Sequence, residues 1–290
     1  MTLPRTLPAQ LFIYYPERKL CAFESFGDAM GEPKTAVVLI PGLGDGPFSL
    51  PYAPGLAEMI RSKGHTFVQA NLSSTYTGYG TSSVRQDVEE LDRLLGHLVE
   101  HHGRERFFLV GHSTGSQDVL MYARHGQHKD RVVGCVLQAG VSDREYMEGS
   151  MDGDLRARLV EYAEGLINQG KGEEMMPREA DGSAALTARR FLSFARAKGE
   201  DDMFSANLSD EYVKALYEGI RTPMLMVHSG ADEFVLSQEV MKRMQAQHAR
   251  LYSGHLPPVT IPGASHALVS PEAQEEFFKH VSSMLDDLLI

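Results

Sequence analysis

The chain has 290 residues, with 28 Lys and Arg against 39 Asp and Glu, for a formal net charge of -11. That shortage of cations excludes a nucleic-acid partner, whose phosphates require a clustered excess of basic side chains. No run approaches the roughly 18 unbroken apolar residues of a membrane span, and the length suits one large α/β domain or two small ones.

Residues 1–10 contain prolines in place of a hydrophobic signal core, so a cytoplasmic protein is expected. Residues 11–15 and 19–26 read as strands joined by Pro16-Glu17-Arg18, a hairpin opening a sheet. Cys21 and Cys135 are too few for a disulfide framework and are expected as free thiols. Residues 35–40 form a continuous apolar run, the pattern of a strand buried on both faces. It ends in Pro41-Gly42-Leu43-Gly44-Asp45-Gly46, whose glycines let backbone amides come close to a ligand.

A helix is predicted over residues 54–63, a strand over 65–70, then a loop over 71–83 whose tyrosines, Tyr76 and Tyr79, are pocket candidates. The spacing of Val84, Val88, Leu91, Leu94, Leu95 and Leu98 predicts a helix over 82–101 packed on a sheet. His97, His101 and His102 at its end read as surface residues favoured by the helix C-terminus, and no metal site is expected from them.

A short apolar strand from Arg106 then runs into Gly111-His112-Ser113-Thr114-Gly115 and on into a helix over 116–124. A serine on such a sharp strand-to-helix turn has its Oγ lifted clear of the backbone. Side chains at either glycine would crowd the turn. Residues 132–138 read as another buried strand, with Ala139-Gly140-Val141-Ser142-Asp143 leaving it. Strands and helices alternate up to here, which implies right-handed crossovers and a mostly parallel sheet flanked by helices.

From 144 to 220 no strand-like run appears. Helices are expected at 145–169, 184–198 and 209–219, with a mobile polar loop over 170–183. Residues 223–228 return to a buried strand. The organisation expected is therefore an α/β core of residues 1–142 and 221–290 with a helical cap of 143–220. The loop Ser229-Gly230-Ala231-Asp232-Glu233-Phe234-Val235, a helix over 237–249, a short strand over 259–261, the loop ending in Ser265-His266 and a last helix over 271–288 complete the chain.

A nucleophilic serine needs a base, and the base needs an acceptor that fixes its tautomer. Asp232 and His266 follow Ser113 in the order Ser, acid, His, each in a loop leaving a strand, so all three meet at one edge of a parallel sheet. Asp143 leaves the strand after the serine, could reach the same histidine and competes for the acid's role; Asp232 is favoured over it. Asp45 reads as a turn former or pocket residue, and Gly42, Gly44 and His112 join the pocket candidates.

The set of Gly42, Leu43 and Gly44, the Gly111–Gly115 turn, Asp232 and His266 resembles the α/β-hydrolase fold across essentially the whole chain. Tyr76-Thr77-Gly78-Tyr79-Gly80, residues 137–145 and Ser229–Glu233 resemble a eukaryotic branch classed as a domain of unknown function, which includes fungal esterases that open siderophore ester bonds. Pro41-Gly42 departs from the family's usual His-Gly there, changing the loop's hydrogen bonding while keeping its amides. The resemblance implies that Ser113 attacks a carbonyl, His266 moves the proton, Asp232 orients His266, and the amides of Leu43 and Thr114 hold the oxyanion. It implies no cofactor, and a small-molecule ester, siderophore-type or otherwise specialised, as substrate. The rival readings are an acyltransferase or thioesterase, in which an acceptor other than water resolves the acyl-enzyme, and a non-enzymatic binding protein on the same fold. Oligomeric state is left open.

Overall fold

A computed structural model describes residues 6–26 and 33–289; Met1 to Arg5 of the proline-bearing stretch lie outside the described residues. Eight strands form one sheet in the order β1-β2-β4-β3-β5-β6-β7-β8. They are β1 (Gln10–Tyr15), β2 (Leu20–Ser25), β3 (Thr35–Ile40), β4 (Thr66–Ala70), β5 (Arg106–His112), β6 (Val132–Gln138), β7 (Met224–Ser229) and β8 (Val259–Ile261). The hairpin β1–β2 pairs antiparallel, and β2 pairs antiparallel with β4; every pairing from β4 to β8 is parallel.

β3 shows why the sheet is covered on both faces. All six of its residues are buried, and because successive side chains point to opposite sides, Val37 and Leu39 enter one core while Ala36, Val38 and Ile40 enter the other. The first core lies under α1 (Ala53–Ser62) and α9 (Pro271–Leu288), which contribute Leu56, Ile60, Phe277 and Val281. The second lies under α2 (Val84–His102) and α3 (Thr114–His125), which contribute Leu91, Leu95, Val119 and Leu120. Each fully buried aliphatic or aromatic side chain is worth about 1.5–3 kcal/mol. The ends of α2 are set locally: the Ser83 hydroxyl accepts from Gln86 N–H, and Gly103 takes φ 66° after the last turn.

His97 and His102 are not the surface residues expected. His97 stacks on Phe12 with ring centroids 5.0 Å apart, and His102 Nδ1 meets Glu24 Oε2 at 2.5 Å. The hairpin explains the difference, since it folds back over the end of α2 and half-buries both rings. Cys21 and Cys135 are free thiols, as expected.

Between β6 and β7 the chain runs through α4 (Asp143–Ser150), α5 (Gly153–Asn168), α6 (Ala188–Ala195) and α7 (Asp210–Leu216), with no ladder strand among the described residues. The single helix expected over 145–169 is two. Asp152 caps α5 by accepting from Leu155 N–H, and an N-cap residue has left helical backbone geometry, so α4 must end before it. The segment expected as a mobile loop is bonded to its neighbours: Met176 N–H donates to Leu186 O, and Asp181 accepts from the Tyr79 hydroxyl at 2.9 Å. α8 (Gln238–Leu251) then precedes β8. No helix among the described residues is long and apolar enough to cross a membrane.

Candidate active site

The site forms where β3, β5, β6, β7 and β8 end. β5 passes into α3 with no intervening loop, which leaves Ser113 at φ 53° and ψ −122°, a conformation that a side chain occupies only under strain. The glycines around it follow from contact distances. A Cβ on Gly111 would lie 2.1 Å from the Gly115 carbonyl oxygen, and one on Gly115 would lie 2.3 Å from the Ile40 carbonyl oxygen. Ser113 N–H donates to Gln138 O at 2.9 Å, tying the turn to β6.

The loop after β3 lies directly against this turn. A Cβ on Gly42 would come within 2.8 Å of Ser113 Cβ, so the backbone at Gly42 and Leu43 reaches the serine because position 42 has no side chain. Asp45 N–H closes the loop on Gly42 O at 3.1 Å, and Gly44 takes φ +79°. Thr114 opens α3 and therefore offers an amide with no intrahelical acceptor.

Asp232 and His266 meet. His266 Nδ1 lies 2.8 Å from Asp232 Oδ2 and 3.0 Å from Oδ1, and both residues are 7% exposed. This contact requires Nδ1 to carry the proton, which leaves Nε2 as the free lone pair. The His266 loop is held further by its own N–H, which donates to Glu233 Oε2 at 2.9 Å, and by Phe234, whose ring stands edge-on to the imidazole at 4.6 Å between centroids. Among the described residues no hydrogen bond joins Ser113 Oγ to His266 Nε2; such bonds commonly tighten only once substrate is bound.

Asp143 does not bond to His266. Its Oδ2 accepts from Gln117 Nε2 at 3.3 Å. Burial, with Asp201 adding to it, pushes the Asp143 carboxyl up to about 7. Asp45 is raised by burial too, partly offset by a backbone hydrogen bond from the Gly42 loop. His112 lies behind the serine, 2% exposed, with its ring 4.7 Å from that of His266, and burial lowers it to about 3. Tyr79 is buried with its hydroxyl on Asp181, whereas Tyr76 is exposed over Gly46. Glu233, Phe234 and Gln138 all touch the His266 loop and were not singled out from sequence. For Gln138 a signal existed, namely a polar residue ending an otherwise apolar buried strand. No group of His, Cys, Asp and Glu suited to a metal ion occurs among the described residues.

Known proteins share this architecture. The solved siderophore hydrolase EstB from Aspergillus fumigatus matches with a TM-score of 0.76 at 24% identity, covering 98% of each chain, and the fold is that of the α/β hydrolases. The esterase AN6793 of Emericella nidulans is 27% identical, over 93% of this chain and 90% of its own length. The fusarinine C esterase sidJ of Aspergillus fumigatus is 26% identical, over 77% of each. These relatives support a hydrolase function. The family described as "Protein of unknown function (DUF1749)" matches residues 3–286, and the chain belongs to it.

Proposed function

We propose that the chain is a serine carboxylic-ester hydrolase acting through an acyl-enzyme on Ser113. The observation that carries this reading is the Asp232–His266 pair, buried beside a serine held at φ 53°. His266 Nε2 removes the proton from Ser113 Oγ as the oxygen attacks the ester carbonyl, and the imidazolium that forms is stabilised by Asp232 on its other nitrogen. The carbonyl oxygen, now negative, is received by the N–H groups of Leu43 and Thr114, donors worth about 3–4 kcal/mol each in such sites. His266 returns the proton to the leaving alcohol. Water, deprotonated by the same nitrogen, then frees the acid and restores the serine.

The helices between β6 and β7 act in this reading as a cap that shapes the substrate pocket. The sidJ relative is named for fusarinine C, and a siderophore-type or other specialised ester is the proposed substrate class. The test is labelling with a fluorophosphonate probe, followed by mass spectrometry of the modified peptide. Wild type is expected to carry the adduct on Ser113 and to hydrolyse p-nitrophenyl butyrate, and Ser113→Ala to do neither. Labelling that persists in Ser113→Ala, or a wild type inert to the probe, overturns the assignment. Product analysis with added alcohol distinguishes hydrolysis from acyl transfer.

A further inference from the structure

Gln138 is the last residue of β6, fully buried, and in register with His112 on β5 and Val227 on β7. Its main-chain carbonyl accepts from Ser113 N–H at 2.9 Å and from Ser116 Oγ at 3.1 Å. Its side-chain amide both donates and accepts. Nε2 donates to the His266 carbonyl at 3.1 Å and to Ser229 Oγ at 3.5 Å, while Oε1 accepts from the Tyr52 hydroxyl at 3.3 Å and from His112 Nδ1. One residue thus holds the serine's backbone and the histidine's backbone together across two strands.

The orientation of the amide follows from its partners. The His266 carbonyl only accepts, so it must face the NH2 end. That leaves Oε1 toward His112, and an oxygen acceptor there requires His112 Nδ1 to carry the proton. His112 Nε2 is then the lone-pair nitrogen, 4.0 Å from Asp45 Oδ2. The consequence concerns the neighbouring ring. When His266 becomes an imidazolium, a second cation 4.7 Å away would oppose it; an uncharged His112 does not.

We propose that Gln138 is the positioning residue of this site: its amide fixes the His266 loop to the serine turn and holds His112 in the Nδ1–H tautomer. It does not touch substrate. It acts through His266 and His112, and its effect on turnover rests on the ester-hydrolase reading above. Replacing it with Met keeps roughly the same volume in the buried site while deleting both the donor and the acceptor.

The test has two arms. In nitrogen-15 imidazole spectra of the wild-type protein at neutral pH, His112 is expected as the Nδ1–H tautomer; an Nε2–H tautomer or a charged ring overturns the proposal whether or not the protein is an esterase. In the second arm, Gln138→Met is compared with wild type for p-nitrophenyl butyrate turnover. A misplacement of about 1 Å in such a site costs roughly 100-fold in rate, so kcat is expected to fall roughly 10- to 100-fold with KM within about threefold. Unchanged kcat in a folded Gln138→Met protein overturns the proposal, as does a loss confined to KM. If the variant does not fold, the wild-type tautomer still decides. A wild type that fails to turn over ester while showing the Nδ1–H tautomer counts against the hydrolase reading and leaves the network assignment standing.

Discussion

Asp232 receives the Nδ1–H of His266 across both of its carboxylate oxygens, at 2.8 and 3.0 Å, whereas Asp143, the other carboxylate that sequence brought forward, bonds to Gln117. Asp232→Asn keeps the shape of the acid but offers an NH2 group to His266, which favours the wrong tautomer. In the proposed mechanism kcat is expected to fall by about 10⁴. Asp143→Asn, which leaves the His266–Asp232 contact intact, is expected to cost less than about tenfold. Steady-state hydrolysis of a short p-nitrophenyl ester measures both, and equal losses would point to a shared role for the two carboxylates.

The strain at Ser113 makes a prediction about stability. At φ 53° and ψ −122° any side chain is disfavoured by roughly 1–3 kcal/mol, while glycine is not. Ser113→Ala keeps a Cβ and therefore the strain. Ser113→Gly releases it and loses part of the gain to the greater freedom of the unfolded chain, about 0.5–1 kcal/mol. The glycine variant is expected to be more stable than the alanine variant by about 1 kcal/mol in urea denaturation, with both inactive. A glycine variant less stable than alanine would show that the turn stores no strain.

Much of this was legible in sequence because the signals were local or repeated. Buried parallel strands read as apolar runs, so the strands at residues 35–40, 132–138 and 223–228 could be placed to within a residue or so, and chain order brought Asp232 and His266 to the edge where Ser113 stands. What sequence did not reveal depends on contacts between distant segments. Nothing near His102 announces that the hairpin carries Glu24 to its ring. The break between α4 and α5 hangs on Asp152 acting as a cap, one polar residue among many. Gln138 is visible as a polar end to an apolar strand, but the four partners of its side-chain amide come from residues 52, 112, 229 and 266, which only the fold unites.

Buried titrating groups of opposite kinds govern the response to pH. His112, His228 and His248 are lowered by burial from 6.5 to about 3, 4 and 3. Between about pH 4 and 6.5 the unfolded chain binds protons at these positions and the folded one does not, so stability falls as pH falls. Asp87 and Asp143, raised by burial from 3.8 to about 7, hold protons in the folded state that the unfolded chain has released, so their contribution falls as pH rises through the same window. The two effects oppose one another. Asp143→Asn removes one opposing group, and the slope of unfolding free energy against pH is expected to become more positive by about 1.4 kcal/mol per pH unit. Urea titrations at several pH values from 4.5 to 6.5 measure it; an unchanged slope would mean that Asp143 is ionised in the folded protein.

Arg190 joins the helices after β6 to the rest of the molecule, and its loss should be felt globally. It is 3% exposed; Nη1 donates to Asp201 Oδ1 at 2.7 Å, and Nε donates to Tyr79 O at 2.8 Å. Asp87 and Asp143 also face its charge, and Asp118 is pushed up by burial with Arg190 among the groups that counter the rise. One guanidinium therefore sits among several buried carboxyl groups, with Asp201 as its direct partner. Arg190→Met leaves Asp201 without its cation and is expected to cost about 3–5 kcal/mol, the usual loss when one partner of a buried pair is removed. Adding Asp201→Leu removes the nearest orphaned charge, and Asp87, Asp118 and Asp143, all pushed up by burial, can meet the loss of the cation by holding protons, so the double variant should recover most of the loss. Denaturation of the two single variants and the double variant reads the coupling directly. A double variant no more stable than Arg190→Met would mean that the other buried carboxylates are ionised and depend on the cation, and a cost below about 1 kcal/mol for Arg190→Met would mean that the Arg190–Asp201 pair contributes little.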